Sequence, residues 1–206
     1  MSTEDPKKES STKETSVKST VSVKENRPSP RPAPKKPDPK EEVVLDPSPL
    51  EPLLNQFKTE MEKVVGAGCI EEAYVNRVGE HTPTFVMKPG RWLEVATSLK
   101  GNPIFGFDYV RNVSAVDYST HMEMVYVLFS FTHSHQIAIR VKLDREDPVL
   151  PTVSHLWDAA NWNERECYDL FGIVFEDHPN LKRILLPDHW EGYPLRKDYE
   201  PLDKEV

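Results

Sequence analysis

The 206-residue chain reads as an α+β fold: one domain with a mostly antiparallel or mixed sheet flanked by helices, a disordered N-terminal tail and an extended C-terminal arm. Three observations lead there. Apolar residues recur with the helical period near 53–65 and 91–100 and with the two-residue period of strands around them, in the order helix, strands, helix, strands, helices. The first 47 residues are dominated by Ser, Thr, Lys, Glu and Pro, and ten of the nineteen prolines fall before Phe57. The closing stretch, 184–206, is broken by Pro and Gly too often to roll into a helix and is too short to enclose a core. The expected divisions are a tail over 1–47, a folded domain over 48–183 and an arm over 184–206.

The tail holds too little apolar surface to offset its conformational entropy, so it is expected to be disordered, with extended polyproline character. Ser48-Pro49-Leu50-Glu51 has the pattern of a capping box with Pro at the first helical position. Leu53, Leu54, Phe57, Met61, Val64 and Val65 follow at helical spacing, and Gly66 and Gly68 end the run. Gly66-Ala67-Gly68 lacks the strand before it and the Lys-Ser/Thr after it that a phosphate loop needs, so it is a turn. Ile70–Val78 and Thr82–Lys88 are strands about a turn at Gly79-Glu80-His81. Arg91–Lys100 is a short helix with Trp92, Leu93, Val95, Ala96 and Leu99 inward, stopped by Gly101-Asn102-Pro103. Three more strands follow near Tyr109–Tyr118, Glu123–Phe131 and Gln136–Leu143. The last alternates cleanly: Ile137, Ile139, Val141 and Leu143 share one face and Ala138, Arg140 and Lys142 the other. Asp147-Pro148-Val149-Leu150-Pro151 is expected to be a loop into a helical region that starts near Ser154.

Charge and cysteine content exclude several function classes. The chain has 26 Lys and Arg against 34 Asp and Glu, and residues 49–206 alone carry 16 against 25. That balance speaks against nucleic-acid binding, which needs a basic footprint, and against electrostatic adhesion to anionic lipid. Cys69 and Cys167 do not make a disulfide framework and are too few for an iron–sulfur cluster, which usually takes four thiolates. No apolar run approaches the ~20 residues of a membrane helix. A soluble, cytosolic chain that meets a membrane only through a partner is expected.

One stretch contradicts ordinary surface and ordinary core together. In Asn161-Trp162-Asn163-Glu164-Arg165-Glu166-Cys167-Tyr168-Asp169-Leu170-Phe171-Gly172, four charged residues are interleaved with Trp162, Tyr168, Leu170 and Phe171. Buried charges are costly unless paired, so this helix, expected over 161–172, should carry paired charges at the boundary of a core or an interface. Helical spacing makes Arg165 and Asp169 i,i+4 partners, and Gly172 suits the left-handed residue that ends a helix.

Glu164-Arg165-Glu166, Asp169-Leu170-Phe171, His178 and Lys182-Arg183-Ile184-Leu185 together resemble the signature of the thirty-kilodalton (C) subunit of respiratory complex I. Pro194-Leu195-Arg196-Lys197-Asp198-Tyr199 is similar to that family's closing motif. The family usually carries Gly before the histidine, where this chain has Asp177 at a local turn. The resemblance is dense over about 154–199 and looser over about 53–151. It implies a peripheral-arm subunit of a proton-translocating NADH:quinone oxidoreductase (NDH-1), beside the forty-nine-kilodalton (D) subunit that helps form the quinone site. It implies a non-catalytic scaffold at the cytoplasmic side of the cell membrane, part of an enzyme without supplying active-site residues. FMN, iron–sulfur clusters and quinone would sit in partner subunits, none in this chain. The carried-over signature positions are Glu164, Arg165, Glu166, Asp169, Leu170, Phe171, His178, Lys182 and Arg183, with Pro194, Leu195, Arg196, Lys197, Asp198 and Tyr199, and Trp190 joins them as an interface residue. A subunit of a membrane-bound hydrogenase, a deazaflavin-dependent dehydrogenase or a photosynthetic plastoquinone or ferredoxin-linked complex is the nearer alternative, since these use a similar module.

Other chemistry is weighed against plainer readings. His133-Ser134-His135, with His121 at the preceding turn, places two rings on one strand face, yet a metal site needs further ligands; polar hairpin-tip histidines are the plainer reading. Glu176-Asp177-His178 and Asp188-His189 pair carboxylates with imidazoles, but no nucleophile motif accompanies them, and His178-Pro179 and Pro187-Asp188 read as turn formers. Cys167 sits among carboxylates, which raise a thiol pKa. A free-standing metal-dependent hydrolase using His133, His135, Asp188 and His189 is the remoter alternative. Trp190, Tyr193, Leu195 and Tyr199, with Arg183, Arg196 and Lys197, are residue types enriched at interface hot spots. The arm is therefore expected to lie extended along a partner, the alternative being that it folds back over its own domain.

Overall fold

The computed structural model describes residues 46–200, which form α1 (Glu51–Val65), β1 (Ile70–Asn76), β2 (Thr82–Met87), α2 (Trp92–Gly101), β3 (Tyr109–Asp117), β4 (Met122–Ser130), β5 (His135–Leu143), β6 (Val149–Pro151), α3 (Asp158–Phe171) and β7 (Val174–Glu176). They all fall in one unit, Leu45–Val206. The tail expected over 1–47 lies outside the described residues except for Asp46 and Pro47.

The five long strands start and end within two residues of the expected positions, because their alternation is strong. On β5 the core face carries Ile137, Ile139 and Val141, all fully buried, while Arg140 on the other face is half-buried. On β4 the buried face carries Met122, Met124, Tyr126 and Leu128. The sheet order is β1-β2-β5-β4-β3. Every pairing is antiparallel except β2 with β5, which run parallel with Phe85 opposite Ile139. The sheet is therefore mixed: β3, β4 and β5 form a meander, and the crossover through α2 returns β5 beside β2.

Helices cover the apolar face. Leu54, Phe57 and Met61 of α1 and Trp92, Val95, Ala96 and Leu99 of α2 join the strand residues in one core. Phe57 meets Phe105 and Phe107 edge to face at 5.6 and 5.7 Å, and the Trp92 and Tyr126 rings lie 4.4 Å apart. Val64, expected on the inward face, is half exposed, while its neighbour Val65, four residues after Met61, packs against the core.

Two local expectations change. The helix starts at Glu51, with Pro52 rather than Pro49 in its first turn. Half of the capping box forms: the Ser48 amide donates to Glu51 Oε1 at 2.9 Å, but the Ser48 hydroxyl accepts from Leu50 and pairs with His81 Nδ1 at 2.9 Å. The expected loop at 147–151 contains β6, which pairs in parallel with β7, Leu150 opposite Phe175. Strands of three residues are too short to show a period, and their partners lie across the whole of α3.

Candidate functional site

The site is built around α3 and the strip that follows it. Gly172 ends the helix with φ 74° and ψ 26°, its amide donating to the Tyr168 carbonyl at 2.9 Å. A Cβ there would stand 2.5 Å from the Tyr193 ring, so glycine is required by both conformation and space.

Asp169, Glu164 and Cys167 point inward and are buried. The Asp169 carboxylate does not pair with Arg165. It accepts from Arg183 Nη1 at 2.8 Å and from the amides of Ile184, Leu185 and Leu186 at 3.0, 2.7 and 2.9 Å. Burial pushes this carboxyl up, but the Leu186, Leu185 and Ile184 amides and the Arg183 guanidinium outweigh it and hold it below the ordinary range. Arg165, half-buried, donates instead to the carbonyls of Lys182 and Arg183 at 3.1 and 3.2 Å and lies over the Trp162 ring. The strip 182–186 therefore supplies better partners to both residues than they supply to each other.

Glu164 holds the chain on the opposite side of the helix. Its carboxyl meets the Thr152 hydroxyl at 2.5 Å and accepts from the Val153 amide at 2.9 Å. Burial raises it to about 7, against the lowering effect of those two bonds. His178 Nε2 stands 3.9 Å away, with both side chains fully buried. His178 Nδ1 accepts from the Asn180 amide, so Nε2 carries the proton and donates to the Asn161 carbonyl at 3.2 Å. Burial, with the Arg165 charge, keeps the imidazole below its usual range and hence neutral near pH 7.

The closing motif is hooked to the sheet. Asp117, at the end of β3, accepts from Arg145 Nε and Nη2 at 3.0 Å each and from the amides of Ser119 and Lys197 at 2.7 and 3.0 Å. The Arg145 guanidinium beside it, aided by those amides, holds its carboxyl well below the usual range. Arg145 also reaches Asp198 at 2.6 Å. The Leu195 amide donates to the Leu170 carbonyl, Arg196 Nε to the Phe171 carbonyl at 2.6 Å, and Tyr193 lies between the guanidinium groups of Arg183 and Arg196. Over residues 184–200 the arm thus folds back over its own domain instead of standing free of it, because two buried carboxylates recruit its amides and arginines, and residues 201–206 lie outside the described residues. It stays free of helix and strand through Tyr199, and Leu185 and Leu195 face outward.

The structure brings together Glu164 with His178 and Asp169 with Arg183, while Glu166 is half-buried and Lys182 and Lys197 are exposed. Leu170 and Phe171 pack on or in the core, and Trp190, Pro194 and Tyr199 are half-buried. Asp117, Arg145 and Thr152 complete the site and carried no local sequence signal as its members, whereas Tyr193 is one of the aromatic residues that mark the arm in the sequence. The long-range partners of those three lie between 12 and 80 residues away, as Thr152 with Glu164 and Asp117 with Lys197 do. The rival chemistry is not assembled: His133 Nε2 donates to the Pro103 carbonyl, and Asp188 and His189 are exposed. Among the described residues no three His, Cys, Asp or Glu side chains converge as metal ligands. Burial, with Glu166 and Glu164 nearby, pushes the Cys167 thiol up to about 12, so it is no nucleophile at neutral pH.

Asp177 has φ 60°, the left-handed region that favours glycine. Asp177→Gly is expected to stabilise the domain by about 0.5–1 kcal/mol, net of the larger entropy of glycine in the unfolded chain. A urea midpoint that falls on this substitution contradicts that account.

Comparison with known proteins agrees with this geometry. The family model described as "Respiratory-chain NADH dehydrogenase, 30 Kd subunit" matches residues 85–205. The chain is 43% identical over 122 residues to the C-type subunit of NADH-quinone oxidoreductase from Roseiflexus sp. (strain RS-1), covering 58% of this chain and 70% of that one. It is 44% identical over 111 residues to the protein of the same name from Chloroherpeton thalassium, covering 53% of this chain and 46%, about half, of that one. Among solved structures it is similar to a trypsin-resistant fragment of Nqo5, with TM-score 0.52 and 33% identity, covering 62% of this chain and 98% of the fragment. A chain of the membrane-bound sulfane sulfur reductase, an archaeal respiratory membrane complex, shares the fold at TM-score 0.57 and 24% identity, over 72% of this chain and 86% of that one.

Proposed function

Because the chain belongs to the family of the respiratory-chain NADH dehydrogenase 30 Kd subunit, we propose that it is a non-catalytic scaffold in a complex I-type NADH:quinone oxidoreductase. In this reading it sits in the peripheral arm against the forty-nine-kilodalton-type (D) subunit, while electrons pass from NADH through FMN and iron–sulfur centres to quinone in neighbouring chains. It meets the cell membrane on the cytoplasmic side through the complex, and no helix among the described residues is long and apolar enough to cross a membrane. The observation that carries the reading is the family match across 85–205, which includes all of α3 and the strip hooked to it. A non-redox role for this chain is supported by its chemistry: it has two cysteines, both buried, and no glycine-rich dinucleotide fingerprint.

Affinity purification of the full chain from native membranes tests this. The expected result is co-purification of a high-mass assembly with flavin, iron and NADH:quinone reductase activity, all lost when the chain is separated from its neighbours. A purified lone chain that holds flavin or metal at stoichiometry and turns over substrate refutes the proposal.

A further inference from the structure

We propose that the cleft beside the N-terminal half of α3 receives a lysine- or arginine-bearing segment of a neighbouring subunit. This rests on the reading of the chain as a member of a complex. The cleft has a volume of about 540 Å³, and its walls include two carboxylates, Asp158 and Asp177, one imidazole, His155, and Trp162. Trp162 is 59% exposed, unusual for a tryptophan, with the Arg165 guanidinium carbon 5.4 Å from its ring centroid. That guanidinium is held by two carbonyls of the 182–183 strip, so the indole is braced on one side. The opposite wall is braced too, since His178 ties the 177–180 turn to α3 through Asn161 and Asn180.

A braced, exposed indole is a pre-organised anchor of the kind that dominates interface energies. Charge complementarity selects the occupant. Asp158 and Asp177 are exposed, and among the described residues neither carboxylate has an ion-pair or hydrogen-bond partner. A cation entering the cleft meets two wall carboxylates and an exposed indole, which are the partners a Lys or Arg side chain takes at an interface. A second copy of this chain fits poorly, because residues 49–206 carry 16 Lys and Arg against 25 Asp and Glu. The acid-lined cleft would meet a surface of its own sign.

The experiment replaces the native chain in its own cells with tagged full-length versions: wild type, the pair Asp158→Asn with Asp177→Asn, and Trp162→Ala. The share of tagged chain in the solubilised high-mass complex is then measured at rising salt. All three side chains are exposed, so unfolding midpoints should stay close to wild type. Trp162→Ala and the paired variant should each lower the incorporated share at least about tenfold at physiological salt. The paired variant should also lose the salt sensitivity of the remainder. With a photo-crosslinking phenylalanine analogue at position 155, an exposed wall residue that leaves Trp162 in place, the captured peptide should come from a neighbouring subunit and contain Lys or Arg. Incorporation equal to wild type overturns this inference and leaves the family-level reading standing. Capture of a second copy, or of residues 1–45 of the same chain, overturns it as well. Wild-type chain found in no high-mass assembly overturns instead the proposed function itself.

Discussion

Asp169→Ala is expected to cost about 3–5 kcal/mol and to release the strip behind α3 from the body of the domain. Four donors converge on this fully buried carboxylate: the Arg183 guanidinium and the amides of Ile184, Leu185 and Leu186. Alanine removes the carboxylate that all four share in one step. Arg183 keeps the Asp169 backbone carbonyl at 2.9 Å and the Gly192 carbonyl at 3.2 Å, so its charge is not wholly stranded. Among the described residues the three amides have no such second partner, and an unsatisfied group costs about 1–3 kcal/mol to the extent that it is buried. Ile184 and Leu186 are half-buried, so their amides are fully hydrated only as the strip lifts, which is the expected structural consequence. Asp169→Asn should fall between, because one amide oxygen still accepts while its NH2 faces donors. Urea unfolding measures the loss, and limited proteolysis measures the release, with new cleavage expected between 184 and 199. An alanine variant within about 1 kcal/mol of wild type, uncut in that region, would falsify this account of how the strip is held.

The second large effect is in pH. The Glu164 carboxyl titrates at about 7 in the folded chain, against an ordinary value of 4.5, because burial disfavours its charged form. The folded state therefore binds more protons than the unfolded state between those values. Stability from this group is complete below pH 4.5 and declines as pH rises towards and through 7, by roughly 3 kcal/mol in all. The hydrogen bonding accommodates the neutral acid: when the single Thr152 hydroxyl proton goes to Ser154 Oγ at 2.8 Å, the carboxyl proton fills the contact to Thr152 Oγ1. His178 acts in the opposite sense. Its folded pKa lies below 6.5, so its contribution is present above pH 6.5 and is lost as pH falls through the folded value. Glu164→Gln removes one titration and leaves the other. Stability measured from pH 4.5 to 8 should show the variant gaining on wild type between pH 4.5 and about 7 and levelling off above that. Two parallel profiles would mean that Glu164 is ionised throughout and that burial does not control it.

These effects separate what near neighbours decide from what distant ones decide. The strand alternation of β4 and β5, the stripe of α2 and the glycine closing α3 are properties of a few adjacent residues, and each is visible in the amino-acid order. The signature Glu164, Asp169 and His178 were visible as a pattern, and the structure gives them distinct jobs: Glu164 grips the segment after β6, Asp169 grips the strip, and His178 pins the turn after β7.

Their partners were not legible. Helical spacing assigned Arg165 to Asp169, yet Arg183, fourteen residues on, takes the carboxylate. The pairing of β6 with β7, the parallel contact of β2 with β5 and the reach of Asp117 to the Lys197 amide were equally invisible. The physical reason is that periodicity states which face of an element is apolar, a local matter of residue order. Which remote donor satisfies a buried carboxylate depends on how the elements pack, and a charge taken out of water accepts whichever donors that packing delivers. Amino-acid order therefore sufficed for the helices, the five long strands, most of their core faces and the family pattern. The tertiary structure alone decided that the C-terminal strip turns back onto its own domain, and that Asp117 and Asp169 are what hold it there.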